Sequence, residues 1–497
     1  MGGAQSTPLQ PTQRPVRRTA RPESDIYTTL DEKFDAVRIE DKRSAGPSDR
    51  VLDHGSETVS VSKAQKYVKS LLKEPKNQLG LSALSTNPIR TILEKQSAIL
   101  HDTQTFNLAI PHEGLPVTNQ RSSGRCWIFA ACNTFRIAIM QKHNIKSFEL
   151  SQSYLFFWDK VEKANYFLET VLANAGEDVD GRLFTALNAS PVGDGGQWDM
   201  IVNLVSKYGI VPQTLYPDSY NAKASSAMDS LLTTKLREDG LKLRKLKASG
   251  ASDSSITASK ETMLQDIIRI VTLCLGPPPS ADEKFNWEFY DGNNKLKNVS
   301  LTPLEFAKST EIEKFVSLVN DPRNEYMRLL SVSNLGNVWN GRPVSYINVD
   351  TIVLKEACVS MLKKGLPIFF GSDVGQQSDS SKGIMDTDLV DYELGFNVKL
   401  GMSKAERLLT GESQMTHAMV LTAVHLDKDN KPVRWRVENS WSDAAGTDGY
   451  FVMSDKWMDE FCYQAVVDTS VLAKGVRDVL KQEPKVLPLW DPMGALA

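Results

Sequence analysis

A chain of 497 residues with 41% hydrophobic and 24% charged side chains has the make-up of an ordinary globular protein. It has room for two or three domains, or for one large domain with insertions. A formal net charge of −3 exerts no global pull toward nucleic acid or an anionic membrane. Cys126, Cys132, Cys274, Cys358 and Cys462 are odd in number and scattered, which argues against a disulfide framework and for a reducing compartment. With no apolar run long enough to span a bilayer and no secretory h-region at the start, the expected location is cytoplasmic, with no membrane span.

Residues 1–56 read as a disordered extension. Pro8, Pro11, Pro15 and Pro22 break any helix, and few large apolar side chains are available to bury. Two targeting patterns overlap it. Met1–Ser6 fits the short myristoylation pattern, and Arg14, Arg17, Arg18 and Arg21 resemble a transit peptide, which leaves a minor mitochondrial pool open. From 57 to 214 the pattern is helical. Val61, Ala64, Val68, Leu71 and Leu72 share one face, and Ser151 is placed to cap a helix that follows it. Gly193-Asp194-Gly195-Gly196-Gln197-Trp198 opens a further helix. Lacking the lysine and preceding strand of a P-loop, this loop is read as a place where backbone approaches an extended ligand, through Gly195 and Gly196.

Residues 215–335 read as an inserted helical module. It carries a basic patch (Lys242, Arg244, Lys245, Lys247) that fits a solvated helix face and, as the alternative, nucleic-acid binding. From 336 to 489 the chain reads as β-rich, with short apolar runs at Val344–Val349, Pro367–Phe370, Ala418–Val424 and Tyr450–Met453 and an alternating Val433–Val437. Residues 490–497 form a C-terminal arm.

The chemistry centres on Cys126, where a polar loop meets an apolar run. Ile128, Ala131, Phe135, Ala138 and Ile139 recur at helical spacing, and Ser122 or Ser123 is the expected cap. In a first helical turn, unpaired N–H groups and the dipole favour a thiolate. A small buried cysteine at a helix start is the competing reading. A thiol nucleophile needs a base, and of six histidines His417 stands out because it opens an apolar strand. Asn439 follows the next strand across a short connection, placed to hold the imidazole by its N–H. Gln120 lies six residues before Cys126, and its amide together with the Cys126 N–H could bind an oxyanion.

Gln120, Gly124-Arg125-Cys126-Trp127, Gly195-Gly196, Tyr208-Gly209-Ile210, His417-Ala418 and Asn439-Ser440-Trp441 resemble papain-like cysteine peptidases, in the right order. Glu149-Leu150-Ser151-Gln152, Met415-Thr416-His417-Ala418-Met419, Arg436-Val437-Glu438-Asn439-Ser440-Trp441 and Trp490 to Ala497 resemble, more narrowly, the bleomycin hydrolase family. Ser123 stands where secreted relatives carry a disulfide cysteine, Arg125 replaces a small residue, Thr416 replaces an aspartate and Ser442 replaces a glycine. No catalytic group is lost.

The resemblance implies an α+β, papain-like, two-lobed fold and a cysteine aminopeptidase that needs no cofactor or metal. Its substrates would be peptides, the amide of bleomycin and homocysteine thiolactone. It also implies a homohexamer, and a C-terminal arm in the cleft whose terminal carboxylate, here that of Ala497, meets the substrate's amino group.

Overall fold

The computed structural model describes residues 59–496. The chain divides into two compact units, Met1–Gln78 and Leu79–Ala497. The targeting patterns at Met1–Ser6 and Arg14–Arg21, and Ala497 itself, lie outside the described residues. Of the first unit the structure shows the helix Val61–Leu71, begun by Ser60, whose hydroxyl accepts from the Lys63 N–H. Its expected apolar face is present, but none of its residues is buried.

The second unit is an α+β structure with two large hydrophobic cores, as a two-lobed fold requires, and a small third cluster around Leu93 and Leu389. The first core gathers around the buried helices Cys126–His143, Gln152–Ala173 and Trp198–Tyr208. The second fills the space between the large sheet and the helices Thr351–Lys363 and Asp455–Phe461. Ser151 caps its helix by accepting from the Tyr154 N–H, as the sequence predicts. Through the middle of the sheet the order runs Phe315–Val319, Cys462–Asp468, Ile368–Ser372, His417–Leu426, Pro432–Glu438, Tyr450–Ser454. His417–Leu426 and Pro432–Glu438 form an antiparallel hairpin, with Val420 opposite Glu438. Among the described residues no helix is long and apolar enough to cross a membrane.

The segment 215–335 needs correction as a helical module. Helices Ser226–Ala248 and Asp253–Leu275 are there, and both pack on Gln152–Ala173. They are followed by a hairpin, Phe285–Tyr290 with Leu296–Leu301. Phe315–Val319 and Arg328–Val332 then enter the large sheet. Four of the five residues in each of these two strands are buried, so neither shows the alternation that separates a strand from a helix in sequence. Of the basic patch, Lys242, Lys245 and Lys247 are exposed, as a solvated helix face requires, and two of its cations are also tied to neighbouring backbone. Arg244 donates to the Asn174 and Glu177 carbonyls and lies over the Phe184 ring, and Lys247 donates to the Leu172 carbonyl. These cations sit on the carbonyl end of Gln152–Ala173, where the helix dipole favours them, and Lys242 pairs with Glu238 at 2.6 Å.

A buried ion pair joins the two cores. Arg136, on the Cys126 helix, meets Glu438, the last residue of its strand, at 2.5 Å, with side chains 1% and 2% exposed. Its two terminal nitrogens also donate to the carbonyls of Pro116 (2.7 Å) and Gly114 (2.9 Å). A Cβ on Gly114 would fall 2.2 Å from Arg136 Nε. Removing one partner strands a buried charge, which costs about 3–5 kcal/mol. Arg136→Met should therefore lower the urea midpoint strongly, and Arg136→Met with Glu438→Leu should recover most of the loss. A single variant as stable as the parent would contradict this account.

Candidate active site

Cys126 is the first residue of its helix and is 2% exposed. The residue at the cap position is Arg125, and no side chain caps the helix, so neither Ser122 nor Ser123 has the predicted capping role. Ser123 lies three residues ahead of the helix and instead donates to the Gln120 carbonyl and accepts from Arg125 Nε. Arg125 turns away and inserts its fork into Asp218, with contacts of 3.0 and 2.9 Å. That pairing explains why a large cation is tolerated beside the cysteine. The Cys126 and Trp127 N–H groups, at the start of the helix, have no intrahelical carbonyl to meet.

His417 and Asn439 come together as the hairpin reading predicts, with Nε2 to Oδ1 at 2.8 Å. The Ser440 N–H also donates to Asn439 Oδ1, at 2.8 Å, which identifies that atom as the oxygen. The imidazole therefore carries its proton on Nε2, leaving the Nδ1 lone pair free as a base. Trp441 stacks on the ring, with centroids 4.7 Å apart. Gln120 is fixed at both ends of its amide. Oε1 accepts from Ser440 Oγ at 2.7 Å, and Nε2 donates to the Ser123 carbonyl at 2.6 Å, with one N–H left over. Its own backbone N–H donates to Ser440 O, and Ser442 N–H to Thr118 O, so 118–120 and 440–442 form a short ribbon.

Burial pushes the Cys126 thiol up to about 11, although the N–H groups of Ala418, Trp127 and Cys126 draw it back. It also holds His417 down to about 4, against the support of Asn439. Burial thus opposes the charged form of each group taken singly, and for the thiolate the N–H groups at the helix start work against that burial. A proton passed from Cys126 to His417 creates two opposite charges, whose mutual attraction offsets the burial that opposes each one singly.

The loop 193–198 is held by two buried lysines. Lys160 pairs with Asp194 at 2.7 Å, and Lys163 donates to the carbonyls of Gly193 and Gly195 at 2.8 and 2.7 Å. Asp194 in turn accepts from the Gly124 N–H at 2.7 Å, and its carbonyl from Trp127 Nε1 at 2.6 Å. Burial would raise the Asp194 carboxyl, but Lys160 and the surrounding donors outweigh it and hold it well below the usual carboxylate range. Gly196 is required for packing, since a Cβ there would meet the Trp127 ring at 2.5 Å. Among the described residues nothing hydrogen-bonds to the Gly196 N–H or carbonyl, whereas the Gly195 carbonyl is occupied by Lys163.

The C-terminal arm reaches this same loop. Asp491 pairs with Arg323 at 2.7 Å, Met493 is buried, and the Ala495 carbonyl accepts from Gln197 Nε2 at 2.6 Å. The Lys160–Asp194 and Arg125–Asp218 pairs were not found by reading the sequence. The one local signal is Asp159-Lys160 inside the apolar run 154–161. Thr416, in place of an aspartate, donates to Asp373 at 3.2 Å, so a carboxylate does stand near His417, supplied by the residue that follows the strand Ile368–Ser372.

The model of the Peptidase C1-like family matches residues 58–494. A bleomycin hydrolase of Gallus gallus is 44% identical over 88% of this chain and 99% of its own length. A mitochondrial cysteine proteinase 1 of Saccharomyces cerevisiae is 43% identical over 90% of this chain and 95% of its own. The crystal structure of PepW from Lactobacillus rhamnosis superposes with a TM-score of 0.86 at 43% identity, covering 89% of this chain and all of that one.

His417 titrates near 6.5 when unfolded and about 4 when folded. Below pH 6.5 the unfolded chain takes up a proton that the folded one refuses, so this site's contribution to stability falls as pH drops toward 4. Compared with His417→Gln, the parent should lose on the order of 3 kcal/mol between pH 7 and 4 by urea unfolding. Parallel curves would show that His417 is not held neutral.

Proposed function

The chain belongs to the Peptidase C1-like family and is a cysteine peptidase, and on that premise we propose that it is an aminopeptidase in which Cys126 is the nucleophile. The observation that carries this reading is the His417–Asn439 pair, hydrogen-bonded at 2.8 Å beside the start of the Cys126 helix. His417 Nδ1 takes the thiol proton as sulfur attacks the scissile carbonyl. The C–N bond breaks as His417 returns that proton to the leaving amine, and the acyl group stays on sulfur as a thioester. His417 then activates water, which releases the acid and restores the thiol. Asn439 holds the imidazole in the required tautomer, and the remaining Gln120 N–H and the Cys126 N–H receive the oxyanion.

Removal of one residue at a time follows from the arm. Its Ala495 carbonyl is held by Gln197, beside Gly196, whose unpaired backbone groups suit an extended substrate. Ala497 lies two residues further on, and its carboxylate would pair with the substrate's α-ammonium and block longer N-terminal extensions. Bleomycin, the substrate in the name of the Gallus gallus relative, and homocysteine thiolactone are candidate non-peptide substrates. A homohexamer in the cytoplasm, with a minor mitochondrial pool, completes the reading. Exposed Leu394, Val398, Leu400 and Leu409 support self-association.

Cys126→Ser should lower kcat/KM on a free-amino dipeptide amide by roughly 10⁴-fold or more while circular dichroism is unchanged. The intact protein should ignore the N-acetylated peptide, and deletion of residues 490–497 should allow its cleavage. Full activity of Cys126→Ser, or equal cleavage of both peptides by the intact chain, would refute the proposal.

A further inference from the structure

The ribbon that fixes Gln120 beside Ser440 leads to a second feature. Beyond Thr118 and Ser442 the two strands separate around an open basin of about 710 Å³, lined by Glu113, Val117, Arg436, Asp443, Asp448 and Tyr450 among others. From Gln120 to Val117 is three residues, about 10 Å of extended chain. The basin therefore lies some three substrate residues from the oxyanion groups.

Its charge is unbalanced. Arg436 is engaged by Glu113, with Nη2 to Oε2 at 3.1 Å and a second, closer contact, and it covers the Tyr450 ring at 4.0 Å. Asp443 and Asp448 are exposed, and among the described residues neither carboxylate has a hydrogen-bond or ion-pair partner. A second observation points to a ligand. Tyr450 is only 5% exposed and lines the basin, yet its hydroxyl is buried with no partner. A buried hydroxyl left unsatisfied is costly, and a donor or acceptor entering the basin would relieve that cost. Leu115, Pro116 and Val117 on the rim offer apolar surface for a methylene stem beneath a charged head.

We propose that this basin is a subsite for a lysine or arginine side chain on the departing part of the peptide, about three residues beyond the scissile bond. The inference rests on the aminopeptidase reading and extends it to the other half of the substrate. The arm borders a different cavity, which Leu489, Gly494 and Leu496 line together with Gly193, and no arm residue lines the basin. The N-terminal side of the substrate thus belongs to the arm. The amine that His417 protonates departs past the stacked Trp441, along the ribbon toward Asp443.

The test compares initial leucine release from Leu-Ala-Ala-Xaa-Ala amides in which Xaa is Lys, Ala or Glu. The Lys peptide should exceed the Glu peptide by about tenfold in kcat/KM at low salt, and by less as salt is raised. Asp443→Asn with Asp448→Asn should bring that ratio close to one and leave the Ala peptide unchanged. Tyr450→Phe, which removes only a hydroxyl without a partner, should keep the Ala rate and narrow the Lys preference. Equal cleavage of all three peptides by the parent, or an undiminished preference in the double variant, overturns this subsite alone. Cleavage of none of them by the parent overturns the aminopeptidase reading and the subsite with it.

Discussion

The buried ion pair between Arg136 and Glu438 is the constraint on which the arrangement turns. It ties the helix that begins with Cys126 to the strand that ends just before Asn439, across 302 residues of chain. An ion pair with both partners under 3% exposed adds little net stability compared with apolar packing, because each charge gives up its hydration. Its value lies in geometry. A guanidinium that also meets the Gly114 and Pro116 carbonyls accepts only one placement of Glu438, and so only one placement of the thiol relative to the imidazole.

A second buried charge fixes the other flank. Lys160 holds Asp194, and Asp194 holds the Gly124 N–H and the Trp127 indole on either side of Cys126. The cysteine thus sits between two salt-bridged supports, one reaching the glycine-rich loop and one reaching the sheet. Neither support touches the reacting atoms, and both hold neighbouring backbone in place. This fits a site in which two buried groups must exchange one proton over a fixed separation.

Much of this was legible in the sequence, where the signals were local. A serine before an apolar run gave the Ser151 cap, and two strands joined by a short connection brought His417 to Asn439. What was missed depends on long-range pairing or on burial from both sides. Phe315–Val319 and Arg328–Val332 are too short and too uniformly buried to show a period. No pattern links Arg136 to Glu438 or Lys160 to Asp194, because charge partners distant in sequence leave no mark on spacing. The missing side chain of Gly196 also makes room for Trp127, a packing demand that leaves no mark on spacing. The serine cap was expected on propensity, and the chain departs from propensity at the very helix that carries its thiol.

That departure has a consequence for anyone who would improve the protein. A serine, threonine or aspartate at position 125 would satisfy N–H groups at the start of the helix and stabilise it by about 1 kcal/mol. It would also break the buried fork with Asp218, which costs more than the cap returns. A consensus cap at this position would therefore weaken the molecule, because Arg125 serves the fork with Asp218 rather than the helix. The open first turn of the Cys126 helix is a stability deficit kept in reserve for the substrate.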